Sequence, residues 1–220
     1  MRDDVIMSEE TAIEIIRTAG ALLTEGHFVL TSGMHSGVYV NKAMLATQPQ
    51  FAHTLGAAMA DAFAEQTFRI VVVPAIGAIP FGLYAAERRM LKTSLPTKLV
   101  YAEKVDGAFA LRRGFDKLVG GNEALVVEDI MSTGGTAREI VGLVRAAGGT
   151  VVGVSAVWNR GKNVTAESLG VRRLVSLVNH QFPQWDPKAE PCPLCENGTP
   201  VNTEVGHGKE FLAQQGGSRA

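Results

Sequence analysis

Residues 125–141 read LVVEDIMSTGGTAREIV. An apolar run ends in two adjacent acids, Glu128 and Asp129. A short loop of hydroxyl and glycine residues follows, and then a helical pattern. The loop residues Ser132, Thr133, Gly134, Gly135 and Thr136 have small side chains and a pliant backbone. Their N–H groups can converge on an anion at the start of the helix predicted over 136–147, where the helix dipole favours negative charge. The hydroxyls of Ser132, Thr133 and Thr136 can donate as well. No lysine stands in the Walker position and no G-x-G-x-x-G is present, which disfavours ATP hydrolysis and a dinucleotide fold. By composition alone the loop is equally a strand-to-helix turn without a ligand. The acids add information, because two carboxylates beside a phosphate repel it unless a partner compensates. Neighbouring sugar hydroxyls can donate to them, or Mg2+ can offset their charge. A ribose carrying a 5-phosphate satisfies both halves.

Working outward, the flanking segments alternate between two periods. RIVVVPA (69–75), EALVVED (123–129), TVVGVSAVWNR (150–160) and RRLVSLV (172–178) are short runs rich in β-branched residues and read as buried strands. TKLVYAE (97–103) is also strand-like. PQFAHTLGAAMADAFAEQ (49–66) repeats Phe51, Leu55, Met59 and Phe63 at helical spacing, and GAIPFGLYAAERRM (77–90) reads as loop into helix. SEETAIEIIRTAGALL (8–23) places Ile13, Ile16, Gly20 and Leu23 on one stripe, with Ser8 and Thr11 as capping candidates. FVLTSGMHSGVYVN (28–41) reads as strand, turn, strand. KVDGAFALRRGFDKLVGGN (104–122) is polar and glycine-rich with a brief apolar interlude, and the last thirty residues have little periodicity. Strands alternating with helices imply an α/β fold, with a mainly parallel central sheet flanked by helices and right-handed crossovers. Ligands then sit at the carboxyl ends of the strands, so 74–80, 129–136 and 159–163 become the candidate site loops.

The 220 residues are 46% hydrophobic and 20% charged, enough for one sizeable domain. A formal net charge of -1, without a basic block, gives little support to nucleic-acid or membrane partners. No apolar run approaches the roughly 18 residues of a membrane span. The acidic start, MRDDVIMSEE, lacks the apolar stretch of a signal peptide, so residence in the cytoplasm is the expectation.

VVEDIMSTGGTA (126–137) resembles the phosphoribosyl pyrophosphate (PRPP) signature of type I phosphoribosyltransferases. HFVLTSGMHSGVYVNK (27–42) resembles the N-terminal segment of the orotate phosphoribosyltransferases within that group, and PAIGAIPFG (74–82) their pyrophosphate loop. YAEKVDGAFALRRGF (101–115) stands in the place of their mobile catalytic loop, and VWNRGKN (157–163) in the place of an arginine that grips orotate. LRRGF (111–115) and CPLCENGTP (192–200) are similar to the Thermus-like branch.

The resemblance implies a type I phosphoribosyltransferase fold over 1–220. A small hood would form from an N-terminal segment of about 1–45 and an irregular tail of about 186–220. The implied reaction transfers ribose 5-phosphate from PRPP to orotate, giving orotidine 5'-monophosphate and pyrophosphate in pyrimidine (UMP) biosynthesis, with Mg2+ required. A homodimer with shared sites is implied, the 101–115 loop crossing to the partner. Glu128 and Asp129 would hold the ribose hydroxyls and stabilise a cationic sugar. Ile130 and Met131 would contact PRPP, and Ser132, Thr133, Gly134, Gly135 and Thr136 would hold its 5-phosphate. Ala75, Ile76 and Gly77 would cradle its pyrophosphate, which Lys104 would contact as a catalytic residue. Arg160 would pair with the orotate carboxylate, Ser132 would also meet the base, and Tyr39 and Val40 would lie along it. Mg2+ would be bound mainly through PRPP.

Three positions depart from the pattern. Thr31, Gly77 and Glu103 stand where basic residues are common, so Lys42, Lys104, Arg112 and Arg113 become candidates for the positive charge. A sister enzyme acting on a purine, and a non-catalytic PRPP-sensing regulator, remain as alternatives. Arg160 separates the first, because a purine has no carboxylate to pair with it; the regulator lacks a basic face here. The only cysteines form C-P-L-C at 192–195. They read as two reduced thiols in a tight turn, as half of a zinc site completed by His180, His207 or a second subunit, or as a redox pair. His27, His35 and His53 read as structural, with His35 able to face the site.

Overall fold

A computed structural model describes residues 7–216, with side chains described as far as 214. The chain begins with α1 (Glu9–Thr18), β1 (Leu22–Leu23), β2 (Phe28–Val29), β3 (His35–Ser36), β4 (Tyr39–Val40) and α2 (Lys42–Ala46). It continues through α3 (Pro49–Asp61), β5 (Ile70–Pro74), α4 (Ile79–Thr93), β6 (Lys98–Val105), β7 (Ala108–Ala110) and α5 (Phe115–Val119). Then come β8 (Glu123–Met131), α6 (Gly135–Ala146), β9 (Thr150–Asn159), β10 (Leu174–Val178), β11 (Gln184–Trp185), α7 (Pro193–Glu196) and α8 (Gly208–Gly216).

Contacts divide these elements into two units. The first comprises residues up to Ile15 together with Leu45–Gln181, and the second comprises Ile16–Met44 and residues from Phe182 onward.

The first unit is built on a six-stranded sheet of order β10-β9-β8-β5-β6-β7. Every pairing is parallel except β6 with β7. All five residues of β5 are buried, as a central strand covered on both faces requires. Its side chains alternate between two helical layers. Ile70 and Val72 join Ile140, Val141 and Val144 of α6 in one core cluster, while Val71 and Val73 meet Gly82 of α4. Each fully buried valine or isoleucine contributes about 1.5–3 kcal/mol, so this alternation fixes the register of the central strand. The chain leaves β5 for β6 on one side, and β8 lies on the other. The carboxyl ends of β5 and β8 therefore flank the point where strand order reverses, the place where an open α/β sheet leaves a crevice.

The second unit holds two small antiparallel sheets. One pairs β1 with β4, and the other has the order β11-β3-β2. No helix among the described residues is long and apolar enough to cross a membrane.

Three sequence expectations change. The N-terminal helix is capped by Ser8, whose Oγ accepts the Thr11 N–H at 3.2 Å, but it ends at Thr18. Gly20, at φ 68°, turns the chain out of the helix, and Leu22 and Leu23 enter β1 instead of extending the stripe. Within 101–115, β6 and β7 form a hairpin whose turn is Asp106–Gly107, at φ 50° and 89°. Both central residues at positive φ make a turn whose twist matches the strands, and Asp-Gly is a favoured pair for it. The tail expected to be irregular carries two short helices, α7 and α8.

Candidate active site

β8 delivers the acid pair. Glu128 and Asp129 are 5% and 2% exposed, each near the strand's carboxyl end. Glu128 Oε1 accepts the Asp129 N–H at 3.1 Å, and Asp129 Oδ1 accepts the Ile130 N–H at 2.5 Å. Buried carboxylates are costly unless hydrogen-bonded, and these bonds offset part of that cost.

The loop beyond β8 is open where an anion would need it. Ser132, Thr133 and Thr136 are exposed. Gly134 caps α6 at φ 70°, a conformation that a β-carbon penalises, and it contributes no side-chain cap. Thr133 Oγ1 accepts the Gly135 N–H at 3.3 Å. The remaining first-turn N–H groups give α6 a donor-rich, electropositive end.

β9 brings the third loop against the second. Ile130 and Met131 are in register with Trp158 and Asn159. Past the strand, the Arg160 N–H donates to the Met131 carbonyl at 2.9 Å. Asn159 closes the turn: its Oδ1 accepts the Gly161 N–H at 3.1 Å and its Nδ2 donates to the Val164 carbonyl at 3.0 Å. The space a β-carbon on Gly161 would need is filled by the Ser132 carbonyl. The two loops thus touch backbone to backbone. Sequence reasoning did not single out Asn159 and Gly161, although Asn and Gly around Arg160 are a turn signal.

The turn after β5 is held by the Ala75 N–H donating to the Ala102 carbonyl at 2.8 Å, and the Ala75–Ile76 peptide is cis. Gly77 follows in the same turn, one residue before Ala78, the N-cap of α4. At the sheet edge, Lys104 is exposed and its Nζ lies 5.8 Å from the Phe109 ring centre. The Phe109 N–H donates to Glu139 of α6 at 2.6 Å, tying the hairpin to that helix. Arg113 donates to Glu103 through Nη2 at 2.9 Å and Nε at 3.1 Å. That hydrogen-bonded carboxylate raises the Arg113 guanidinium above its ordinary value. Arg113 is therefore engaged by the very acid that replaces a basic residue, which leaves Lys104 and exposed Arg112 as the better-placed cations of this loop.

The structure gathers 75–77, 128–136 and Arg160 at adjacent strand ends of one unit. Tyr39 and Val40 belong to the second unit, where β4 pairs them with Leu23 and Leu22. Cys192 and Cys195 are free thiols of that unit and lie beside His27 and His35, not His180 or His207.

Two carboxylates do not enclose a cation. Among the described residues, the one group of three or more ligating side chains is the histidine and cysteine cluster. A hard cation at the acid pair would take most of its oxygens from phosphates, sugar and water, which is the coordination Mg2+ adopts with phosphorylated substrates. The residues present fit Mg2+ in that mode.

Residues 42–191 match the family described as phosphoribosyl transferase domain. The chain is 36% identical over 198 residues to an orotate phosphoribosyltransferase of Chlorobium phaeobacteroides, covering 89% of this chain and 95% of the relative. It is 34% identical over 190 residues to that of Thermus thermophilus, covering 86% and 97%. Among solved structures it is similar to Mycobacterium tuberculosis H37Rv orotate phosphoribosyltransferase in complex with PRPP, at 25% identity and a TM-score of 0.59, over 77% of this chain and 94% of that one.

Proposed function

The chain belongs to the orotate phosphoribosyltransferase family, and we propose that it transfers ribose 5-phosphate from PRPP to orotate in the cytoplasm, on the path to UMP. Orotidine 5'-monophosphate and pyrophosphate are the products. The observation that carries the reading is the convergence of the acid pair, the donor loop and Arg160 at the switch point of one sheet, tied by the Arg160–Met131 hydrogen bond.

In this reading the bond from ribose C1 to pyrophosphate breaks as the bond to the orotate ring nitrogen forms; pyrophosphate leaves with the electron pair, and the ring nitrogen gives up its proton to solvent. Positive charge develops on the sugar. Glu128 and Asp129 accept from the ribose hydroxyls and stabilise that charge, which a buried, pre-oriented carboxylate does far better than water. Residues 132–136 fix the 5-phosphate, with the α6 N-terminus and the Ser132, Thr133 and Thr136 hydroxyls as donors. The 75–77 turn presents backbone to the pyrophosphate. Arg160 takes the orotate carboxylate through its planar fork, and Ser132 meets the base beside it. Bound Mg2+ would neutralise the leaving pyrophosphate. Holding both substrates in one geometry accounts for much of the acceleration.

Ultraviolet absorbance of orotate with PRPP and Mg2+, run beside hypoxanthine, xanthine, adenine and uracil, tests the choice of base. Consumption of orotate alone is expected; turnover of a purine would remove Arg160 from its role.

Lys104 is read as a contact to the leaving pyrophosphate in a partner subunit's site. Lys104→Ala then lowers kcat by about 10²-fold with little change in orotate KM. Mixing it in excess with an Asp129→Asn variant restores activity through mixed dimers, whose one intact site combines wild-type residues from both chains. Full activity of Lys104→Ala would reject the role, and failure of mixing to restore turnover would reject the shared site.

Gly161→Ala separates loop geometry from stability. Its β-carbon displaces the Ser132 carbonyl. A shift of about 1 Å in a positioned phosphate costs on the order of 10²-fold in kcat/KM. Circular dichroism should stay that of the parent. Unchanged kinetics would show that the two loops do not act together.

A further inference from the structure

We propose that His27, His35, Cys192 and Cys195 form a structural zinc site. The site lies in the second unit and uses none of the groups assigned to substrate.

The ligands come from two stretches of chain that the small sheet joins. Val29 pairs with His35 across β2 and β3. Side chains alternate along a strand, so His27, two residues before Val29, lies diagonally beside His35 on the same face. His35 also pairs with Trp185 of β11, which brings the C-terminal segment alongside. Cys192 then stands at the N-cap of α7 and Cys195 within it.

The four ligating atoms lie within 4.8 Å of one another. His27 Nε2 is 2.7 Å from His35 Nδ1, and Cys195 Sγ is 3.4 Å from His35 Nδ1 and 3.8 Å from His27 Nε2. A zinc tetrahedron with sulfur at ~2.3 Å and nitrogen at ~2.0 Å has edges of about 3.3 to 3.8 Å. To reach it the two imidazoles, now 2.7 Å apart, open by about 0.6 Å, and the widest pair, within 4.8 Å, closes by up to about 1 Å.

The protonation pattern also fits. His27 Nδ1 lies 2.8 Å from the Thr199 carbonyl, which only an N–H can satisfy. In the neutral ring, Nε2 then turns a lone pair toward the cluster. His27, His35 and Cys192 are buried, at 1%, 0% and 3% exposure. Two imidazole nitrogens facing each other beside two thiols are an unusual filling for a core. A bound cation gives all four ligating atoms a common partner.

Two sulfurs and two nitrogens from C-x2-C and a histidine pair are a zinc donor set, and four protein ligands make a closed site, structural and not catalytic. Cys195 is exposed and lines a groove of about 770 Å³ that gives the metal a way in. On binding, each thiol loses its proton to solvent and Zn2+ takes both thiolates and both neutral imidazoles. The ion would staple residues 27–35 to 192–195 within the unit that carries Tyr39 and Val40. The Phe211 ring of α8 packs edge-on against His35, with centres 4.7 Å apart.

The test is the metal content of untagged protein purified under reducing conditions without chelator, read by plasma mass spectrometry. About one zinc per chain is expected, falling to background in Cys192→Ser/Cys195→Ser and sharply in His27→Gln. Because those variants can misfold, apo wild-type protein is also titrated with Co2+. Tetrahedral cobalt bands with thiolate charge transfer at one equivalent are expected, abolished by one equivalent of Zn2+. Zinc below a tenth of an equivalent with no cobalt bands would overturn the proposal, as would zinc retained by the double cysteine variant or a Cys192–Cys195 disulfide in the native protein. None of these readouts depends on turnover.

Discussion

Exchanging both carboxylates for amides, Glu128→Gln with Asp129→Asn, lowers kcat by about 10³-fold or more and changes PRPP affinity far less. The amides keep the size of the side chains and an acceptor oxygen on each, so hydrogen bonds to ribose hydroxyls persist in the ground state. What they lose is negative charge, whose effect grows as the sugar becomes cationic. Each charged contact of this kind is worth roughly 10²-fold in rate at a site shielded from water. Glu128 and Asp129 are almost fully buried, so bulk solvent cannot replace either one. Single-turnover kinetics with a separate PRPP binding isotherm make the distinction. A double variant with kcat within about threefold of wild type would leave the pair a structural role only.

Arg160→Ala raises the KM for orotate by about 10²-fold or more and lowers kcat less. A bidentate guanidinium–carboxylate contact contributes two charge-assisted hydrogen bonds, each about 1.5–3 kcal/mol. Arg160→Lys recovers only part of the loss, because an ammonium cannot reproduce the planar fork. The Arg160 backbone remains held by the Met131 carbonyl in either variant, so the effect reports the side chain. Initial rates against orotate at saturating PRPP show it. A change confined to PRPP affinity would place the arginine on the other substrate.

The central sheet was legible because its signals are local. β5, β8, β9 and β10 are short β-branched runs, and α3, α4 and α6 keep helical spacing. The acid pair and its loop were legible for the same reason, since residues 128–136 lie in nine consecutive positions between a buried strand and a helix. Long-range contacts decided the remainder. Leu22 and Leu23 continue a helical stripe in sequence, but pairing with Tyr39 and Val40 draws them into a sheet. The 104–122 stretch hid a hairpin because strands of three residues have too few positions to show a period, although Asp106–Gly107 was a usable turn signal. His27 and His35 lie more than 150 residues before the cysteines, and only the β2-β3-β11 sheet selects them over His180 and His207. The fate of Arg113 was equally hidden, because its partner Glu103 faces it only after the hairpin folds.

The most direct test of the PRPP site is a crystal structure of the protein with PRPP and Mg2+. The expected complex has the ribose hydroxyls on the Glu128 and Asp129 carboxylates, the 5-phosphate on the N–H groups and hydroxyls of 132–136, and the pyrophosphate along 75–77. PRPP bound away from the β5–β8 crevice, or turned so that the acid pair meets no sugar hydroxyl, would contradict the account.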